Sequence, residues 1–201
     1  MSEELYSTDK SAPTDRATAG PFDLSEVQDV KPFIDLGALR ISPKENMQMK
    51  IEIEDATQRV IAVSIEYQGS SLQLQAFAAP RSSGLWHEIR REIQASLDSQ
   101  GGETELRVGS LGPELVAKMP IKSDSGAPAG FRLAKFVGVD GPLWFLRGVI
   151  AGAALSNPKA AADIDDIFRS VVVVRENVPL PPRDLLTLIV PGGTVAPPRS
   201  I

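Results

Sequence analysis

The sequence predicts an α+β fold: a mostly antiparallel sheet built from hairpins, with two amphipathic helices packed on one face and flexible termini. Three observations lead there. Segments of alternating apolar and polar residues come in pairs joined by short glycine-containing turns. Two other segments repeat their apolar residues every three or four positions. The strands come in hairpins rather than alternating with helices, so the βαβ arrangement of a nucleotide-binding sheet is missing.

The elements follow in chain order. Residues 1–20 are mostly small and polar, rich in Ser, Thr and Asp with Lys, Pro and Gly and little to bury, and read as a disordered tail. One domain is expected over 21–190, and "PGGTVAPPRSI" (191–201) reads as a second flexible tail. "FIDLGALRI" (33–41) is an edge strand. "MQMKIEIED" (47–55) alternates cleanly, with Met47, Met49, Ile51 and Ile53 on one face and charged or amide residues on the other. "VIAVSIEYQ" (60–68) groups Ile61, Val63 and Ile65; "SLQLQAFA" (71–78) groups Leu72, Leu74 and Ala76; Gly69–Ser70 suits the hairpin between them.

The first helix falls in 84–102, where Trp86, Ile89, Ile93 and Leu97 form one stripe ahead of Gly101–Gly102. Strands over 103–111 and 114–122 are joined by a Gly112–Pro113 turn. "FRLAKFVGV-DG-PLWFLRGVI" reads as a hairpin closed by Asp140–Gly141, a pair suited to a two-residue turn. In the second helix (157–171) Asn157 is the cap and Pro158 the first residue; Ala160, Ile164, Ile167, Phe168 and Val171 share a face. "VVVVRE" then makes a short buried strand, and "LLTLIV" (185–190) is apolar enough to pack back on the body.

Composition bounds the function. The chain has 201 residues, a net charge of −5 and no cysteine. That excludes disulfides, thiolate metal sites and a cysteine nucleophile, and argues against a general affinity for phosphate backbones. The N-terminus lacks the basic start and apolar core of a secretory signal, so a cytoplasmic location is expected. The apolar run from Pro142 to Leu155 is too short to span a bilayer and carries Arg147 at its centre, so no membrane insertion is expected despite Gly148-x-x-x-Gly152.

If Val139 faces Pro142, the hairpin register is set. Val137 then faces Trp144 and Lys135 faces Leu146 on the core side. On the other side Phe136 faces Phe145, Ala134 faces Arg147 and Arg132 faces Val149. This makes Arg132, Phe136, Phe145 and Arg147 the candidate ligand- or partner-binding residues, because guanidinium groups bind carboxylate or phosphate and stack on rings. Arginine stems lying across a wet sheet face give the same pattern.

The remaining chemistry is sparse. His87 is the single histidine and has no orienting partner in the sequence, so it reads as a boundary residue. Asp163, Asp165 and Asp166 lack the spacing of a calcium loop; Asp165 suits an ion pair with Arg169 one turn on. No catalytic residue, metal or cofactor is expected: phosphate loops, zinc helices, nucleophile elbows and dinucleotide fingerprints are missing. Lys118, Lys122, Arg132, Lys135 and Arg147 offer a modest basic face with few aromatics, a weak basis for nucleic-acid binding.

"GPFD" (20–23), "DLGALRI" (35–41), "LQLQAFAAPRSSGLWHEIRREI" (72–93), "DGPLWFLRGVIAG" (140–152) and "DIFRSVVVVR" together resemble an uncharacterised actinobacterial family, domain of unknown function 3710. The resemblance covers most of residues 20–190 and implies a cytoplasmic protein without supplying an activity. The order of strands, "WFLRG", helix and final strand is also similar to the Mog1/PsbP-like fold, whose members mostly bind proteins. The expected function is a non-enzymatic protein-interaction module, scaffold or adaptor. The alternative is a small enzyme, or an anion- or nucleic-acid-binding protein, using the basic hairpin face around Arg132 and Arg147.

Overall fold

The computed structural model describes residues 8–27, 32–122, 126 and 128–191. In chain order the elements are α1 (Arg16–Ala19), β1 (Phe22–Asp23), β2 (Ile34–Asp35), β3 (Leu39–Ile41), β4 (Gln48–Ile53), β5 (Val60–Tyr67), β6 (Ser70–Ala78), α2 (Trp86–Ser99), β7 (Glu103–Gly109), β8 (Gly112–Lys122), β9 (Pro128–Asp140), β10 (Trp144–Gly152), α3 (Pro158–Ser170) and β11 (Val172–Val173). Seven strands form an antiparallel sheet in the order β4-β5-β6-β10-β9-β8-β7. A small sheet, β1-β11-β3-β2, holds one parallel pair, β1 with β11. The expected edge strand over 33–41 is instead β2 and β3 folded against each other.

The α+β class and the hairpin construction hold. Three turns differ in position. Tyr67 pairs with Ser70, so the turn is Gln68–Gly69, with φ of 46° and 77°: the two left-handed residues that a tight hairpin requires. Gly109 pairs with Gly112, which puts the next turn at Ser110–Leu111 rather than Gly112–Pro113.

The third difference is the largest. Asp140 does not turn the chain; it is the last residue of β9 and pairs with Phe145. The register slips by four residues, so Leu146 faces Val139 and Arg147 faces Gly138. An even slip leaves every side chain on its expected face, because side chains alternate with a period of two. The reason for the slip is that the Asp140 carboxylate is used elsewhere. It is buried and accepts backbone N–H bonds from Ser11 (2.9 Å), Leu85 (2.8 Å) and Trp86 (3.3 Å).

The helices take opposite faces of the large sheet, which corrects the expectation of one shared face. A Cβ on Gly148 would stand 2.8 Å from Val137 and 2.9 Å from Phe168, so α3 lies against that side. A Cβ on Gly138 would stand 2.4 Å from the Trp86 ring, so α2 lies against the other. Val137 and Gly138 are neighbours in one strand and point apart. Each helix stripe therefore claims its own set of alternate strand residues. The α3 side forms the main core, where Leu39 and Ile41 of β3 and Leu36 of the turn before it join Leu72, Leu74, Leu146, Ile164 and Phe168. The α2 side is a smaller cluster of Leu85, Trp86, Ile89 and Phe145. Asn157 caps α3 through Lys159 and Ala160, as its sequence implies.

The chain ends bind the sheets together. Leu186 and Leu188 are buried, and residues 183–189 exchange backbone bonds with Ala76 and Ala78 of β6 on one side and with Leu36 and Ala38 on the other. Residues 8–20, read as part of a disordered tail, carry defined contacts: Ser11 is buried on Asp140, Arg16 makes a two-point ion pair with Glu26 at 2.8 and 2.5 Å, and Asp15 meets Arg169 at 3.2 Å. Residues 1–7 and 192–201 of the two expected tails lie outside the described residues. Among the described residues no helix is long and apolar enough to cross a membrane.

Candidate functional site

Asp140 and Arg90 are buried charged residues, and Arg147 is half-buried in the middle of the sheet. Asp140 is explained by its partners. The first N–H groups of a helix have no intrahelical acceptor, and the carboxylate supplies one for α2 from another element, at Leu85 and Trp86. It also fixes the N-terminal segment through Ser11. Lys10 donates to the carbonyls of Gly141 and Pro142, the latter at 2.7 Å, and closes the knot from outside. Burial raises the Asp140 carboxyl above its ordinary range, against the three backbone N–H bonds and the Lys10 charge. Every one of these contacts is internal, so we read Asp140 as structural.

Arg147 lies near the middle of β10, opposite Gln75 of β6 and Gly138 of β9. One step along the same face Phe145 stands opposite Phe77. The rings of Phe77 and Phe145 stack at 5.9 Å, and Trp86 stacks on Phe145 at 5.9 Å from α2. The Arg147 guanidinium sits 5.7 Å from the Phe77 ring centre and donates to the Gln75 Oε1. Its buried Nε has no hydrogen-bond partner. Burial is the cause of the lowered Arg147 pKa, and the group stays charged at physiological pH. A half-buried cation is thus held by a neutral amide and a ring.

On the other side of Arg147 the sheet face is open and polar. Gln75 donates to the Ile61 carbonyl at 3.0 Å. Gln73 donates to Glu52 at 2.6 Å, Ser64 also donates to Glu52, and Lys50 pairs with Glu66 at 2.7 Å. Gln73, Gln75, Arg147 and Val149 are all half-buried. Arg147 therefore marks the boundary between the aromatic cluster under α2 and an uncovered stretch of sheet.

The four residues singled out from sequence do not form one cluster. Phe145 is fully buried beneath Trp86 and belongs to the core. Phe136 faces Val149 rather than Phe145 and packs at the margin of the α2 cluster. Arg132 is exposed and pairs with Met119. It lies six residues along β9 from Gly138, the residue facing Arg147, or roughly 20 Å at the usual rise of a strand. The four-residue slip is what separates the two arginines.

The expected basic face is also divided. Lys118 and Lys135 alternate with Arg132 and Ala134 in the strand register and so project from the other side of the sheet. There they line a groove of about 450 Å³ with Glu103, Glu114, Leu133 and Leu155. Lys135 meets Glu114 at 3.3 Å, Lys118 meets Glu103 at 3.5 Å, and Lys118 lies 4.2 Å from the Phe131 ring centre. Cations and carboxylates in this groove are matched. The side chain of Lys122 lies outside the described residues.

His87 is half-buried on the first turn of α2, and Arg91 donates to its carbonyl at 3.3 Å. The acidic run on α3 is engaged locally: Asp163 with Lys159 at 2.8 Å, and Asp165 with the Ser110 hydroxyl at 2.5 Å. The expected Asp165–Arg169 pair does not form, because Arg169 turns to Asp15 and to the Ser110 carbonyl. Among the described residues no group of three potential ligands is placed to hold a metal ion. Sequence reading missed Gln75 and Asp140. The first is one of two alternating glutamines in a strand, and the second was absorbed by the turn it was expected to make.

Residues 20–196 match the family model described as a protein of unknown function (DUF3710). No curated protein and no solved structure matches the chain.

Proposed function

The chain belongs to the DUF3710 family, and we propose that it is a cytoplasmic, non-enzymatic protein-interaction module that docks an acidic segment of a partner protein on the open sheet face at Arg147. The observation that carries this reading is the Arg147 guanidinium, half-buried against Phe77 and hydrogen-bonded to a neutral amide. A charge taken partly out of water gains most from a partner that brings the opposite charge. A carboxylate arriving at Arg147 would add charge-assisted bonds of about twice the strength of neutral ones. Val149 and Phe136, half-buried beside it, supply apolar contact. A single small anion bridging Arg132 and Arg147 has less support, given the distance between their positions along the sheet.

The test is affinity capture from native lysate with the chain as bait, comparing the wild type with Arg147→Gln and Arg132→Gln. The wild type and Arg132→Gln should retain one stoichiometric partner. Arg147→Gln should weaken capture by roughly tenfold or more, the equivalent of one lost charge-assisted bond. A wild-type bait that returns alone, or capture untouched by Arg147→Gln, refutes the proposal.

A further inference from the structure

Seven-stranded open sheets have two edges, and an edge displays unpaired backbone N–H and C=O groups. Here the edges are β4 and β7, and they differ. The register of β4 is broken between Glu52 and Ile53, a distortion that blunts an edge. Its charges are also committed inward, Lys50 to Glu66 and Glu52 to Ser64 and Gln73. By contrast β7 runs in unbroken register with β8 from Glu103 to Gly109. It contains no proline and no lysine, the residues that usually protect an edge. Two of its apolar side chains are exposed: Leu106 at 50% and Val108 at 85%.

The order of residues in β7, Glu103-Thr104-Glu105-Leu106-Arg107-Val108-Gly109, is complementary to itself when reversed. We propose that β7 pairs antiparallel with β7 of a second copy of this chain, with Leu106 on the twofold axis, joining the two sheets into one. In that register Glu105 faces Arg107 of the second copy, twice, and Leu106 faces its own counterpart. Thr104 then faces Val108 of the second copy. The charges fall on one face and the apolar residues on the other, because side chains alternate along a strand. Neighbouring registers fail. Centring on Thr104 sets Glu103 against Glu105, centring on Glu105 sets that carboxylate against itself, and centring on Arg107 does the same for the guanidinium. Like charges directly opposite in a sheet oppose pairing. Within one copy Glu105 and Arg107 already meet at 2.6 Å on the exposed face, so pairing would set four charges in alternating order.

This surface lies three strands from β10 and does not depend on the reading of Arg147. The test is sedimentation equilibrium over a concentration series. The wild type should approach twice the 21.6 kDa chain mass as concentration rises. Glu105→Arg and Arg107→Glu, each alone, put like charges opposite one another and should stay monomeric. Both residues are more than half exposed, so the fold is expected to survive either change. An equal mixture of the two variants should dimerise again, since one copy then presents two arginines and the other two glutamates at these positions. Arg147→Gln should sediment like the wild type. A wild type that remains monomeric, single variants that dimerise as well as the wild type, or a mixture that fails to re-associate would each overturn the proposal.

Discussion

Replacing Asp140 by alanine removes the acceptor of three backbone N–H groups at once, those of Ser11, Leu85 and Trp86. Loss of a helix cap alone costs about 0.5–2 kcal/mol, and each buried donor left without an acceptor costs about 1–3 kcal/mol. Water reaching the loosened N-terminus of α2 relieves part of this, so the three do not add in full. The expected loss is roughly 3–5 kcal/mol, the lower part of the sum for three buried donors left without an acceptor. For a chain of this size that lowers Tm by roughly 6–20 °C. Thermal unfolding followed by circular dichroism measures it, and hydrogen exchange locates it: the amides of Ser11, Leu85 and Trp86 should lose protection ahead of β6 and β10. Asp140→Asn keeps one acceptor oxygen and should lose less.

The pH dependence supplies a second check. Burial raises the Asp140 carboxyl in the folded state, so the folded state binds its proton more tightly than the unfolded one. The corresponding stability is fully present below the unfolded carboxylate pKa and is lost as pH rises through the folded value. The stability of the wild type relative to Asp140→Asn should therefore fall as pH rises through that window. A loss below 1 kcal/mol for Asp140→Ala, with Leu85 and Trp86 amides still protected, would refute the view that this carboxylate organises the junction.

Gly148→Ala should destabilise by about 1–3 kcal/mol, because the new methyl meets Val137 and Phe168, both buried, within 3 Å; chemical denaturation should show a lower midpoint at unchanged slope. Arg183→Ala removes ion pairs with Glu88 and Glu92, but all three side chains are about half exposed, so the change should stay under about 1 kcal/mol. A Tm drop for Arg183→Ala as large as that of Gly148→Ala would show that the C-terminal segment is held by that arginine rather than by its buried leucines.

Local patterns made much of this fold readable. The stripe Trp86, Ile89, Ile93, Leu97 and the cap Asn157–Pro158 act within one or two turns, and both helices form where those signals stand. Alternation placed Leu72, Leu74 and Ala76 on one side of β6, and all three are buried. Alternation even survived a wrong register: every residue of the β9–β10 hairpin is on its expected face, because the slip is an even number of residues. Face is a property of one strand and is written in the chain.

Register and partnership depend on groups distant in sequence. Asp-Gly commonly turns a chain, yet the Asp140 carboxylate serves Ser11 and α2 instead. That choice moved Arg147 four residues away from its anticipated neighbour and dissolved the arginine pair. Nothing in the stripes of the two helices states which side of a sheet each will meet; Gly138 and Gly148, one opening space for Trp86 and the other for Phe168, decide it. The sequence by itself determined the elements and the inward side of each strand, since these follow from spacing along the chain. Only the tertiary structure decided what lies beside Arg147, because neighbours across a sheet are chosen by hydrogen bonds and packing between segments far apart in sequence.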